Sequence, residues 1–348
     1  MSQSGFFDDS PLNDAAVPCA SRYAPEAGMS GALSLAALSS LQPAEVTALL
    51  GRDAGHTAQL VYDAACLGLV EAQTTLGQML LDGRGTPADA QAARRWFTVA
   101  AEAGYAPAAN MLGRCLERGW GGDPDMVQAA HWYRHAAEGG LDWGQYNLAN
   151  MVLRGRGLAR DVPWAFRLFL AAARQGHAKS MNMVARFLEE GWIGPIDQAQ
   201  AVSWYQCAAE GGDFRAQFNL ATLLVQMGRM LEALQWFTQA GEKGSLDFRR
   251  VAADHLLARA EPELREAGLK IAARCCEDGG GEDFHRYGTA VAGAGNKRLA
   301  ALLLRRAVEA GHPDSAAELA HLSGELRREG RSRWLRRVVW RLRGHGGA

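Results

Sequence analysis

The sequence predicts an all-α fold, a solenoid of stacked helical hairpins, and three observations predict it. A short signature recurs in "RRWFTVAAEAG", "AHWYRHAAEGG" and "VSWYQCAAEGG": two aromatics, then Ala-Ala, then glycine. Its positions share one ruler. Trp96, Trp132, Leu168 and Trp204 lie 36 residues apart, as do Phe97, Tyr133, Phe169 and Tyr205, and Gly104, Gly140, Gly176 and Gly212. Upstream of each signature a second frame holds Leu76-Gly77, Leu112-Gly113, Leu148-Ala149, Val184-Ala185 and Leu220-Ala221. A fixed period of this length marks an architecture whose units bury their apolar faces on one another.

The chain's elements follow from that ruler. Residues 1–28 precede the repeats, and disorder is expected there. The solenoid is expected over 29–324, with clear repeats over 72–244 and degenerate units at both ends. "LVYDAACLG" reads as the end of a second helix, so a leading unit is expected from about Gly31 to Gly68. In the first clear unit Ala72, Leu76 and Leu80 make one stripe of a first helix. Gly77 sits where a second helix passes closely. Gly83 and Gly85 punctuate the loop, and Asp89 is placed to cap the next helix. Ala93, Trp96, Phe97, Ala100 and Ala101 then line the inner face of that second helix, which Gly104 stops. The fifth unit shortens its loop by four residues, bringing its aromatics to Trp236-Phe237 and its glycine to Gly244. Beyond it, "RRVAADHLLARA" with "ELREAGLKIAARCCEDG" reads as a degenerate hairpin, "RLAALLLRRAVEAG" as another second helix, and "DSAAELAHLSGEL" as one further helix.

On these residues the units resemble the Sel-1-like repeats, a branch of the tetratricopeptide-like helical solenoids. The pattern is carried by Ala72, Leu76, Gly77, Gly83, Gly85, Asp89, Ala93, Trp96, Phe97, Ala100, Ala101 and Gly104, and again from Ala108 to Gly140. Leu168 for tryptophan and the stretched "GWIG" are local departures. The resemblance implies a right-handed α-α superhelix with a concave, protein-binding face, used as an adaptor or scaffold, and it implies no catalysis.

In such solenoids the first helices line the concave face, so their positions off the apolar stripe are the candidate contacts. One column holds Thr74, Asn110, Tyr146, Asn182 and Phe218; another holds Gln78, Arg114, Asn150, Arg186 and Thr222; Trp143 and Lys179 stand nearby. Asparagine is a mediocre helix former, so Asn110, Asn150 and Asn182 in mid-helix require a reason. One reason is hydrogen bonding to a partner's backbone; the other is polar contact between helices. The candidate protein-binding residues are Asn110, Arg114, Trp143, Tyr146, Asn150, Asn182 and Arg186, and an extended or acidic peptide suits them.

Bulk properties bound the remaining choices. Hydrophobic residues make up 48% of the chain, which excludes wholesale disorder, and a net charge of −1 points to no specific nucleic-acid partner. Six irregularly spaced cysteines suit a reducing compartment. The N-terminus lacks the basic start and apolar run of a secretory signal, so a cytoplasmic location is expected. Catalytic motifs are scarce. No HExxH, GK[ST] or Gly-x-Ser-x-Gly occurs, and Asp123 and Asp125 lack the glutamate of a calcium loop. His131 and His135 are one helical turn apart with Glu138 following, but no further ligand is evident, and Cys275-Cys276 reads as a pair of small core side chains. No metal or cofactor is expected, and the protein is read as non-enzymatic. The alternative is an accessory subunit or a cryptic enzyme, metal-dependent for instance, with a site assembled across repeats.

Residues 325–348 change character. Charge there is +6 against −7 for the rest of the chain. A basic amphipathic helix is expected, with Trp334, Leu335, Val338, Val339 and Leu342 on one side and Arg333, Arg336, Arg337 and Arg341 around them. Such a helix can lie on an anionic membrane, bind nucleic acid or an acidic partner, or cap the last hairpin.

Overall fold

The computed structural model describes the backbone from 54 to 343 and side chains as far as 329. The disorder expected for 1–28, the opening of the leading unit, and the tail's Arg333, Arg336, Arg337 and Arg341 side chains lie outside the described residues. Among the described residues every regular element is an α-helix, sixteen in all. The chain forms two compact units, dividing after His177. The first contains α1 (Ala54–Cys66), α2 (Val70–Asp82), α3 (Ala90–Glu102), α4 (Ala106–Arg118), α5 (Met126–Glu138), α6 (Asp142–Arg154) and α7 (Val162–Arg174). The second contains α8 (Ala178–Glu189), α9 (Gln198–Glu210), α10 (Phe214–Gln226), α11 (Met230–Lys243), α12 (Leu246–Leu257), α13 (Pro262–Asp278), α14 (Gly281–Gly293), α15 (Lys297–Glu309) and α16 (Ser315–Arg343).

From α2 to α11 the helices pair as the ruler predicts, α2 with α3, α4 with α5, and so on to α10 with α11, and the pairs α12 with α13 and α14 with α15 continue beyond it. Each second helix starts at an aspartate in the first four hairpins. The side chain of Asp89 accepts from the Ala92 N–H at 2.8 Å, and Asp125, Asp161 and Asp197 repeat the cap. It satisfies one of the four orphan donors at a helix start. The second glycine of the loop has a different task. Gly157 has φ +72°, and a Cβ there would run into the Met126 carbonyl at the start of α5. The loop of one hairpin therefore rests on the second helix of the preceding one, which only glycine permits.

Burial corrects the assignment of both signature aromatics to the inner face. The second aromatic is the anchor: Phe97, Tyr133, Phe169 and Tyr205 are all 0% exposed. The first is peripheral, with Trp132, Trp204 and Trp236 only half-buried, although Trp96 is covered. The reason lies in the small residue of the first helix. A Cβ on Gly77 would stand 2.7 Å from the Phe97 ring, and one on Gly113 would stand 2.7 Å from Tyr133. The ring lies flat against glycine backbone there, so the pair forms one interlocking contact. Alanines at 93, 100, 129, 136, 165, 172, 201 and 208 are fully buried around it and let the helices approach.

First helices also touch one another within each unit, α2 with α4, α4 with α6, and α8 with α10. In the second unit the aromatic signature gives way after α11 to smaller side chains and ion pairs. Arg250 on α12 grips Asp283 on α14, and Arg286 pairs with Asp254. The "DSAAELAHLSGEL" segment and the start of the basic tail are one continuous helix, α16, on which Leu322 joins a core with Val291, Leu303 and Leu304. Lys297 on α15 meets Glu325 at 3.1 Å and Glu329 at 2.6 Å. No helix among the described residues is long and apolar enough to cross a membrane.

Candidate protein-binding surface

Two of the candidate asparagines are structural. Asn110 on α4 is 8% exposed and accepts from the Asn147 side chain on α6 at 2.8 Å. Asn182 on α8 is 6% exposed and accepts from Asn219 on α10 at 2.9 Å. Both join successive first helices, so both leave the binding surface: a buried amide facing another amide is satisfied where it stands. Asn150 differs. It is half-buried, and its Nδ2 donates to the Tyr146 carbonyl one turn back at 2.9 Å.

In the first unit, α6 presents an aromatic ledge. Trp143 is 42% exposed, its ring edge-on to His177 at 4.6 Å and to Tyr146 at 6.0 Å. Tyr146 in turn packs on Phe169 of α7 at 5.9 Å, the buried anchor of the same hairpin. The ledge is thus rooted in the core and open at Trp143. Arg114, on α4, is exposed; its guanidinium lies over the Trp120 ring at 5.3 Å and its Nη1 touches the Met111 sulfur. In the second unit, Arg186 repeats the stacking on Trp192 at 5.3 Å but is also bound by Glu190 at 2.9 Å. Trp120 and Trp192 went unassigned in the sequence. Their signal was an alternation at one frame position, Arg84, Trp120, Arg156 and Trp192.

The groups with nucleophilic or metal-binding chemistry sit elsewhere. His131 and His135 stack edge-on at 4.6 Å on the outer side of α5, and loss of solvation, then the His135 charge, draws the His131 pKa down. Among the described residues no three histidine, cysteine or carboxylate groups converge as a metal site would require. Burial pushes the Cys115 thiol up to about 11 and Cys276 up to about 12, which suppresses the reactive thiolate.

The Sel1 repeat family model matches residues 70–105, 106–141, 144–177, 178–213, 215–245 and 275–312. The chain belongs to the Sel1 repeat family. A Sel1 repeat protein from Oxalobacter formigenes is similar in structure, with TM-score 0.55 at 21% identity over 64% of this chain and 99% of that one. A protective antigen of uropathogenic Escherichia coli displaying an SLR fold aligns over 78% of this chain and 68% of its own, at 24% identity and TM-score 0.46. A Sel1 repeat protein from Klebsiella pneumoniae aligns over 56% and 99%, at 21% and 0.40. The Sel1 match at 275–312 adds a repeat that the sequence showed only by its closing helix. There Gly288 of α14 faces Leu304 of α15, where a Cβ would come within 3.1 Å. The glycine contact survives while leucine replaces the aromatic, so the signature disappears and the geometry does not.

Proposed function

We propose that this Sel1 repeat protein is a non-catalytic adaptor, and that the first helices of its first unit hold an extended segment of a partner protein. The single observation that carries the reading is the ledge on α6. A tryptophan that is 42% exposed yet held edge-on against groups anchored in the core costs little entropy to fix. Asn150, one turn beyond Tyr146, keeps its side-chain oxygen for a backbone N–H, which suits an extended segment. Arg114 adds a cation on the neighbouring first helix. A cytoplasmic location accords with this use.

Selection of peptides from a random display library on the full chain tests the proposal. Enriched extended peptides should lose at least about tenfold in affinity to Trp143→Ala and to Asn150→Ala, with helicity and melting preserved in both variants. Peptides that bind both variants as tightly as the parent would place the binding surface elsewhere and overturn the reading.

A further inference from the structure

Counterpart positions in the two units differ in charge in a way the fold does not need. In the second hairpin Glu117 accepts from the Tyr133 hydroxyl at 2.9 Å and from Arg156 Nη1 at 3.1 Å, so both its oxygens are engaged. Arg114 and Arg118 lie close enough to that same hydroxyl to act on it electrostatically, and both are exposed. Arg114 and Arg118 stand four residues apart on α4, one turn of one helix. Arg156 is already matched by Glu117, and among the described residues neither Arg114 nor Arg118 pairs with an acid. Seventy-two residues on, the frame is kept and the charges are not. Arg186 stands for Arg114, Glu189 for Glu117, Trp192 for Trp120, but Glu190 replaces Arg118 and Gly228 replaces Arg156. There Arg186 and Glu190 neutralise each other, and Glu189 serves Tyr205. The same backbone is therefore compatible with a self-paired arginine, and the unpaired ones are a choice of the first unit.

We infer that Arg114 and Arg118 form a carboxylate-reading site for an acidic segment of a partner protein, with Trp120 holding the Arg114 plane. Stacking on an indole pre-orients a guanidinium while leaving its N–H edge for bidentate recognition of a carboxylate. The surplus of positive charge also speeds encounter with an acidic chain. This inference rests on the proposed adaptor role and names the chemistry of its partner.

The test uses the full chain and a fluorescein-labelled poly-glutamate peptide, with poly-lysine and inorganic phosphate as comparison probes. Arg118→Glu copies the arrangement of Arg186 and Glu190, so the fold tolerates it. Poly-glutamate should bind, weaken with salt, and lose at least about fivefold in affinity in Arg118→Glu, since the change reverses one charge and neutralises a second. Arg167→Glu, which reverses the charge of an exposed arginine on the second helix α7, should leave the affinity unchanged. Equal binding of poly-glutamate by Arg118→Glu and the parent, or binding of poly-lysine as tight as that of poly-glutamate, overturns the inference. Displacement of poly-glutamate by phosphate at equal charge concentration also overturns it, showing a bare anion site. Failure of this inference alone would leave the Trp143-dependent binding of selected peptides intact. Failure of the adaptor reading alone would abolish that dependence while poly-glutamate binding still responded to Arg118→Glu.

Discussion

The hydroxyl of Tyr133 donates to Glu117, at 2.9 Å, from the floor of the contact between α4 and α5. The same bond joins Tyr205 to Glu189 at 2.6 Å. In the hairpins whose anchor is phenylalanine, the position of the glutamate holds Leu81, Leu153 and, allowing for the shorter loop, Val225. Anchor and partner change together along the chain. A buried hydroxyl requires an acceptor and a buried phenyl ring requires none, so two solutions to one packing problem alternate.

Tyr133→Phe should therefore cost about 1–2 kcal/mol, because Glu117 keeps Arg156 but loses its second partner in a half-buried position. Adding Glu117→Leu should return most of that loss by copying the neighbouring hairpins. Urea unfolding of the two single variants and the double variant measures the coupling. Additive effects, with no recovery in the double variant, would mean the alternation has no energetic basis.

Burial separates the two signature aromatics. Tyr133→Ala should cost about 3–5 kcal/mol, since it empties a fully buried site facing Gly113. Trp132→Ala should cost less, about 1–2 kcal/mol, because that ring is already partly in solvent. Thermal and urea melts of the pair decide the order, and equal losses would contradict the assignment of the anchor to the second position.

Much of the fold was legible because the repeat wrote it several times: helix pairing, loop glycines, the Asp89 cap and the small residue under the anchor all follow from residues at one frame. Periodicity does not say which of two adjacent aromatics turns inward, since Trp132 and Tyr133 differ by one step on the same helical face. It was equally silent on Asn110, whose mid-helix polarity fits a partner's backbone or a neighbouring helix. Only the placement of Asn147 on α6 decides between them. The proposed surface was half legible. Trp143, Tyr146 and Arg114 lie on first helices, as the repeat frame predicts, but Arg118 and Trp120 enter the proposal through spatial neighbours that the repeat columns do not bring together.

Asn110→Ala tests that decision. It should lower stability by about 1 kcal/mol by stranding the Asn147 amide between first helices. Asn150→Ala should leave the melting midpoint nearly unchanged, because its bond is local to α6. Equal melting of the two variants would show that the buried amide pair is replaced by water at no cost.

Acid sensitivity should map to the second unit. Asp283 is 2% exposed and accepts from Arg250 Nε and Nη2, both at 2.7 Å, and from the Gly280 N–H at 3.1 Å. The Arg250 guanidinium holds its carboxyl below the usual carboxylate range, against the opposing effect of burial. The folded state thus binds this proton less readily than the unfolded chain does. The resulting stability is fully present above the unfolded value, about 3.9, and is lost as pH falls through the lower folded value. Asp283→Asn should remove that acid-sensitive contribution and cost about 2 kcal/mol at neutral pH, because a neutral amide cannot accept both guanidinium bonds. Urea unfolding of parent and variant between neutral pH and pH of about 3 follows the difference. It should be largest at neutral pH and shrink on acidification. A constant difference across that range would show that the carboxylate's charge contributes nothing to the link between α12 and α14.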